Sequence, residues 1–191
     1  MATSMFSSLL RGLAIVAILL AVHTAEAQSL ASTFESLIDQ KGGLRLPRQY
    51  RQQWSHLGSW VIAEPMAPGA GLHDVYTQPE ALEYYRHNGD FPDGTVIVKD
   101  VSHIESGTLT TGHAQWAGAT KIWFVMVRDT ADRFSGNKHW QEGWGWALFD
   151  VQNPAMNISE GFEVSCKGCH LPAAGTHWVF THGYPSLKGD D

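Results

Sequence analysis

The sequence predicts one α+β domain that is mainly β, built as a small antiparallel sheet with a few helices. Three observations lead to this prediction. Four separate segments are rich in β-branched and aromatic residues, and each is bounded by Gly, Asp or Asn. Only two segments have apolar residues at helical spacing. The sequence also lacks the strand–helix–strand alternation that a parallel sheet requires.

The first part of the chain, residues 1–27, is predicted to be a secretory signal peptide. Arg11 gives it a positive start, and an uninterrupted run of eleven apolar residues follows. An A-x-A pattern then ends at Ala27, after which signal peptidase is expected to cut. Eleven apolar residues span only about half of a hydrocarbon core, so a membrane anchor is the weaker interpretation. We therefore expect a single domain over residues 28–191, located in the periplasm.

Two helices are predicted in this domain. The apolar residues of the first recur at i, i+4, i+7 and i+8, and they are Leu30, Phe34, Leu37 and Ile38. Ser32 and Glu35 form a capping-box pattern inside it, and the two glycines after Lys41 end it. The second helix begins at the capping-box pattern Thr77–Glu80, has proline in its first turn, and ends at Asn88-Gly89.

Four strands follow from the alternating and β-branched segments. They are predicted at Ser59–Ala63, Thr95–Val101, Lys121–Arg128 and Trp144–Val151. A proline-containing turn over Phe91–Gly94 leads into the second of them. Ser106-Gly107 and Ala117-Gly118 are interpreted as the bends of an antiparallel meander.

Composition excludes several classes of protein. With 43% hydrophobic residues, 8 Trp and 8 Phe, the chain has ample apolar surface to bury, so it is not a disordered segment. Thirteen Lys+Arg against nineteen Asp+Glu give a net charge of −6, which does not supply the positive surface that nucleic-acid binding requires. Two cysteines are too few for a disulfide-rich scaffold, so they act as one pair.

That pair forms the motif Cys166-Lys167-Gly168-Cys169-His170, the C-x-x-C-H pattern of c-type haem attachment. Two thiols at this spacing can reach the two vinyl groups of one porphyrin, and the next imidazole can then bind the iron. A redox disulfide is the alternative, but such pairs follow an early strand in a βαβ unit, and this pair lies near the C-terminus. We therefore predict one covalent haem c, with Cys166 and Cys169 as thioethers and His170 as proximal iron ligand.

The other side of the iron is predicted to be open. Methionine, the usual sixth ligand of electron-transfer cytochromes, is missing from the residues after His170. His177 and His182 follow the motif closely and could bind the iron, but each is interpreted as a surface or hydrogen-bonding histidine. A five-coordinate iron with an open face favours small-molecule binding or catalysis over electron transfer alone.

The segments FPDGTVIVKDV, KIWFVMVRD, GWGWALF and CKGCHLPAAGTHWVFTHGYP, in this order, resemble the cytochrome P-460 family, a relative of the β-type cytochrome c′. The similarity runs from about Leu46 to Pro185. It implies a periplasmic homodimer with an antiparallel sheet and a single five-coordinate haem. It also implies oxidation of hydroxylamine, with nitric oxide or nitrous oxide as products, and a bond from a lysine nitrogen to the porphyrin. The β-type cytochromes c′ lack this bond and bind nitric oxide or carbon monoxide in an apolar pocket.

The lysine of that bond is predicted to be Lys99, which lies in the matching segment. Lys99 shares a strand face with Thr95, Ile97 and Val101, and a lysine on an apolar face needs a buried partner. Lys121, which opens the next strand, is the second candidate. A chain without the bond, in which Lys99 extends along an edge strand to solvent, is the remaining alternative.

Hydroxylamine oxidation releases protons, so a base is expected near the iron. The resemblance implies a carboxylate, for which Glu105, Glu142, Glu160 and Glu163 are candidates. Glu160 is preferred because it shortly precedes the haem motif. A phenyl ring such as Phe162 would instead crowd out polar substrates and favour gas binding.

The sequence thus leads to a hypothesis of a periplasmic hydroxylamine oxidoreductase that passes electrons to a periplasmic acceptor. A nitric oxide-binding cytochrome without the lysine bond is the alternative. An electron carrier with a second histidine ligand is the third hypothesis. No nucleic-acid partner, and no membrane association after signal cleavage, is expected.

Overall fold

The computed structural model describes residues 24–189 and confirms the mainly-β antiparallel fold. Six strands form one curled sheet: β1 (Ser55–Ile62), β2 (Gly71–Thr77), β3 (Val96–Leu109), β4 (Gly112–Arg128), β5 (Trp140–Gln141) and β6 (Trp144–Asp150). Their spatial order is β1-β2-β3-β4-β6-β5, and every neighbouring pair is antiparallel. All four predicted strands lie within this sheet or overlap it.

Helices and helical turns cover the sheet. The α-helices are α1 (24–37), α2 (Tyr50–Gln53), α3 (Pro79–Asn88), α4 (Phe162–Ser165) and α5 (Lys167–His170). Three 3₁₀ helices complete the C-terminal segment: Leu171–Thr176, Thr181–Gly183 and Pro185–Leu187. Within residues 24–189, no helix combines the length and apolarity that crossing a membrane would require. Most of the predicted signal peptide, residues 1–23, lies outside the described residues.

The two predicted bends at Ser106-Gly107 and Ala117-Gly118 are wrong. Both lie inside β3 and β4, which form one long hairpin whose turn connects Leu109 to Gly112. Glycine here provides space rather than a bend, because a Cβ at Gly107 would lie 3.0 Å from the ring of Trp116 on the facing strand. The hairpin extends past the end of β2, so its outer half pairs only with itself.

Neither predicted capping box forms. Ser32 lies in the middle of α1, where its hydroxyl donates to the Ser29 carbonyl, because the helix begins earlier than its apolar pattern indicated. Thr77 is the last residue of β2, and its hydroxyl donates to the Val96 carbonyl across the sheet. The predicted stop of the second helix is confirmed, since Gly89 caps α3 with a φ of 74°. The predicted stop of the first helix at Gly42-Gly43 is wrong, because α1 ends at residue 37 and Ile38 forms a β-bridge with Leu44.

The two faces of the sheet are covered by separate apolar clusters. On one face, Phe34 of α1 and Ile38, which directly follows α1, pack with Val98 and Val125 of the central strands. The opposite face carries the C-terminal segment, and its buried residues include Ile97, Met126, Trp146, Phe162 and Cys166. Alternation along the strands separates the faces, so neighbouring residues of β3 belong to different clusters.

A buried carboxylate ties α2 to the α1 face of the sheet. Asp100 on β3 is 1% exposed, and it accepts hydrogen bonds from Tyr50 (2.5 Å) and from Thr120 (3.0 Å). Arg51 forms an ion pair with the same carboxylate. Trp123 donates in turn to the Tyr50 hydroxyl at 2.8 Å. Burial and the bond to Asp100 raise the pKa of Tyr50 above its ordinary value of 10.

This network predicts that the folded protein loses stability at alkaline pH. The folded protein holds the Tyr50 proton more tightly than the unfolded chain does. The contribution of Tyr50 to the free energy of unfolding is therefore fully present below pH 10 and declines as the pH rises above 10. Replacing Tyr50 with Phe should reduce this decline by up to about 1.4 kcal/mol per pH unit. It should also cost about 1 kcal/mol at neutral pH through the lost hydrogen bond. Denaturant unfolding between pH 8 and 11 measures both, with the exposed Tyr84→Phe as control. Equal slopes in Tyr50→Phe and wild type would contradict the prediction.

Candidate functional site

The site lies on the sheet face that carries the C-terminal segment, and Lys99 is at its centre. Lys99 pairs with Val75 of β2 on one side and with Phe124 of β4 on the other. The next strand, β6, places Leu148 opposite Phe124. Across the sheet these paired residues form one row: Val75, Lys99, Phe124 and Leu148. The Lys99 ammonium lies 4.2 Å from the centroid of the Phe124 ring, a cation–π contact. Lys99 is therefore a half-buried cation on an otherwise apolar row.

Burial lowers the pKa of Lys99 below its ordinary value of 10.5, and the Cys169 and Cys166 thiols partly oppose this. Lys99 pairs with Val75, which belongs to the apolar cluster that contains Cys166, so the lysine and the motif lie on the same face of the sheet. A lysine in such surroundings is easily converted to its neutral amine, the nucleophilic form.

The C-x-x-C-H motif forms the short helical segment that faces this lysine. Cys166 caps the end of α4, and α5 carries Cys169 and His170. The His170 N–H donates to the Cys166 carbonyl at 3.1 Å, so one helical turn separates these residues. Both cysteines are free thiols, Cys166 buried and Cys169 exposed. Burial raises the pKa of Cys166 to about 11, an effect to which Cys169 adds and which Lys99 opposes.

His170 is held in one orientation by a backbone carbonyl. Its Nδ1 lies 2.8 Å from the Trp178 carbonyl oxygen. Since a carbonyl only accepts, Nδ1 carries the proton and Nε2 is left as a lone-pair donor. Burial lowers the pKa of His170 to about 4, the Trp178 bond opposes this shift, and Lys99 adds to it. The imidazole is therefore neutral at pH 7, as a metal ligand must be.

Aromatic rings enclose His170. Trp146 meets the imidazole edge-on, with ring centroids 4.9 Å apart, and Phe180 lies at 5.6 Å. Phe162 contacts Trp146 at 5.0 Å and Trp178 at 5.2 Å. Phe162, the ring predicted as a screen against polar substrates, thus packs against Trp146 and Trp178. The ring beside Lys99 is Phe124, which the sequence analysis did not single out.

The turn that supplies the Trp178 carbonyl has an unusual backbone. His177 and Trp178 have φ angles of 53° and 66°, so two successive non-glycine residues adopt the left-handed conformation. Each such residue costs about 1 kcal/mol or more and persists only where neighbouring contacts impose it. Trp144 donates from Nε1 to the His177 carbonyl at 2.9 Å, and the Trp178 N–H donates to the Ala173 carbonyl at 2.8 Å.

The structure also places the second candidate lysine and the two candidate histidines. Lys121 donates to the Ala70 carbonyl at 2.6 Å at the end of β2. The exposed side chain of His177 lies 3.8 Å from Asp90, and His182 is exposed as well. Both histidines therefore occupy the surface positions that the sequence analysis favoured.

The four candidate carboxylates are all exposed: Glu105, Glu142, Glu160 and Glu163. Glu105 accepts a hydrogen bond from Trp116 on the long hairpin, and Glu163 forms an ion pair with Lys167 at 2.9 Å. Glu160 lies just before α4, the helix that leads into the C-x-x-C-H motif, and its backbone N–H donates to the Ser165 hydroxyl. Its role as a base stays a prediction.

These residues fit a c-type haem. Two free thiols on one helical turn, a neutral imidazole with a free Nε2, and an apolar wall opposite them are what such a group requires. The Trp178 carbonyl supplies the outer hydrogen bond by which metal-binding histidines are commonly oriented.

Comparison with known proteins agrees with this chemistry. The family model described as Cytochrome P460 matches residues 47–181, which include Lys99, Phe124 and the whole C-x-x-C-H motif. A search of curated proteins found no match. The matched region covers most of the chain and indicates a haem cofactor. The chain therefore belongs to the cytochrome P460 family.

Proposed function

We propose that this protein oxidises hydroxylamine at a covalently bound haem to which Lys99 is also joined. One observation carries the proposal above others: Lys99 and the C-x-x-C-H motif lie on the same apolar face of the sheet, since Val75 beside Lys99 belongs to the cluster that contains Cys166. A family role in hydroxylamine oxidation supports the same reaction.

The cofactor would be held at three points of the motif segment. Cys166 and Cys169 would form the thioethers, and His170 would bind the iron through Nε2. When bound, the haem would supply an iron that accepts electrons from hydroxylamine. Oxidation to nitric oxide removes three electrons and three protons, and the electrons must pass to a periplasmic acceptor. The chain's own residues hold the group, exclude water and receive protons.

Lys99 is proposed to modify the ring. Its lowered pKa makes the neutral amine accessible, and Phe124 holds that amine on the apolar row. Addition of its neutral Nζ to a carbon of the macrocycle would form the C–N bond, break the double bond at that carbon and pass the amine proton to the ring, with no oxidant required. The conjugation of the ring would then be interrupted, which is one way in which a protein changes haem chemistry. Lys121 is less suited, since its ammonium is bound to the Ala70 carbonyl.

Glu160 is proposed as the proton acceptor. It lies just before α4, which leads into the C-x-x-C-H motif, and its backbone N–H donates to the Ser165 hydroxyl. Because Glu160 is exposed, protons that it takes up can pass directly to bulk water. General bases of this kind typically contribute about 10²–10⁴-fold to a rate.

Nitric oxide binding without turnover is the second candidate function. The observation that favours it is the Phe124 ring beside Lys99, on a row whose other members are Val75 and Leu148. An apolar wall of this kind accepts a small uncharged gas more readily than a polar substrate.

The absorption spectrum of the dithionite-reduced protein, matured with its haem in a bacterial periplasm, separates the two functions. A Soret band shifted well to the red of an ordinary ferrous c-type haem is expected, since the lysine bond perturbs the macrocycle. An ordinary high-spin ferrous spectrum would overturn the proposed bond and with it the oxidase function, leaving gas binding. A low-spin spectrum that resists nitric oxide would overturn both and indicate an electron carrier.

A periplasmic location and a homodimer are also proposed. Among residues 24–37 of α1, the first buried residue is Leu30, which lies beyond the expected cleavage site after Ala27. The prediction of a homodimer is tested by the mass of the mature protein in solution.

A further inference from the structure

Trp144 is a fully buried side chain that contacts the strained turn, and it lies outside the haem motif. Its indole is 1% exposed, with Phe91 at 6.1 Å and the Arg128 guanidinium at 5.2 Å from the ring. As the first residue of β6, it is fixed to the sheet through its pairing with Arg128. Its single polar atom, Nε1, donates to the carbonyl of His177.

That hydrogen bond leads in two steps to the proximal histidine. His177 and Trp178 are both left-handed, so the peptide between them is rotated away from the direction an ordinary turn would give it. This rotation leaves the Trp178 carbonyl 2.8 Å from Nδ1 of His170. The Thr176 hydroxyl lies on the same turn, 3.0 Å from the Ala173 oxygen and 2.7 Å from the Val179 oxygen.

We propose that Trp144 is a positioning residue for the iron ligand: its indole N–H holds the His177–Trp178 turn left-handed and so keeps the Trp178 carbonyl on His170. The proposal rests on the proposed ligation of haem by His170, but it does not depend on the lysine bond or on the substrate. A hydrogen bond at Nδ1 makes the imidazole a stronger donor, strengthens the iron–histidine bond and lowers the reduction potential.

The test is Trp144→Phe in the haem-loaded protein, which keeps an aromatic ring on the sheet and removes the donor. Resonance Raman spectra of the ferrous protein should show the iron–histidine stretch at lower frequency than in wild type. The reduction potential should rise. Trp140→Phe is the matched control, because Trp140 is also buried and donates from Nε1 to a carbonyl, that of Gly42 at 2.8 Å, but in the cluster on the other sheet face.

An unchanged stretch in Trp144→Phe would overturn the proposal, as would equal shifts in the two tryptophan variants, which would indicate general loosening. Thr176→Val removes a different hydrogen-bonding group of the same turn, the Thr176 hydroxyl, and should shift the iron–histidine stretch in the same direction. It keeps the proposal testable if Trp144→Phe does not fold, and an unchanged stretch in it would then overturn the proposal. A wild-type protein that lacks covalent haem would instead show failure of the proposed function.

Discussion

Lys99→Ala is expected to retain covalent haem and to lose hydroxylamine oxidation, with kcat reduced by at least about 100-fold, as for the loss of a catalytic group. Retention is expected because the motif residues that hold the group are unchanged. The loss follows from removing the amine that we propose to be joined to the ring. Steady-state oxidation of hydroxylamine with an artificial electron acceptor measures the rate, and the reduced spectrum should become that of an ordinary high-spin haem.

Lys121→Ala is the matched control, because it removes a lysine of the neighbouring strand whose ammonium is bound to a backbone carbonyl. Its rate and spectrum should stay those of the wild type. Unchanged turnover in Lys99→Ala would rule out the proposed mechanism. A loss confined to Lys121→Ala would transfer the role to that residue.

The double variant Cys166→Ala, Cys169→Ala, made in the Lys99→Ala background, is expected to contain no haem that survives denaturation. With both thiols and the lysine amine gone, His170 alone would bind the group through one coordinate bond, which denaturants break. Haem staining after denaturing electrophoresis measures this directly, and the signal should fall from full to none.

His177→Ala serves as its control, since this histidine lies close to the motif in sequence but has an exposed side chain. Full staining is expected for His177→Ala. Staining of the double variant at the level of the wild type would mean that the thiols are not the attachment points, in spite of the motif.

The parts of the site that a sequence can specify are those that chemistry restricts to one spacing. Cys166, Cys169 and His170 could be singled out because thioether and iron bonds require residues at those intervals. Lys99 could be singled out because its segment resembles the family and a cation on an apolar strand face is exceptional; the attachment of haem to these residues stays a prediction. The contact of Lys99 with Phe124 could not be predicted, because the pairing register of two strands is set by the whole sheet and not by either segment.

For the fold, too, some elements could be predicted from the sequence and others could not. The sequence analysis predicted the strands that have many β-branched residues, but it did not predict β2, because Gly, His and Asp interrupt the sequence of that strand. Its outer edge pairs with β1 and its inner edge with β3, so tertiary pairing overrides a weak local preference. The left-handed turn at His177 and Trp178 also has no signal in the sequence, because glycine, the usual residue for that conformation, is absent from both positions.

Lys99 and Cys166 meet in one space although about 70 positions of the chain separate them. In an unfolded chain these residues would be far apart, and a rigid group bonded to both would hold them together. The relation used for disulfides gives about 4 kcal/mol of stabilisation for closing a loop of this length. Small domains have total stabilities of about 5–15 kcal/mol. A lysine bond to the ring would therefore also act as a long-range cross-link, in a protein whose two cysteines form no disulfide.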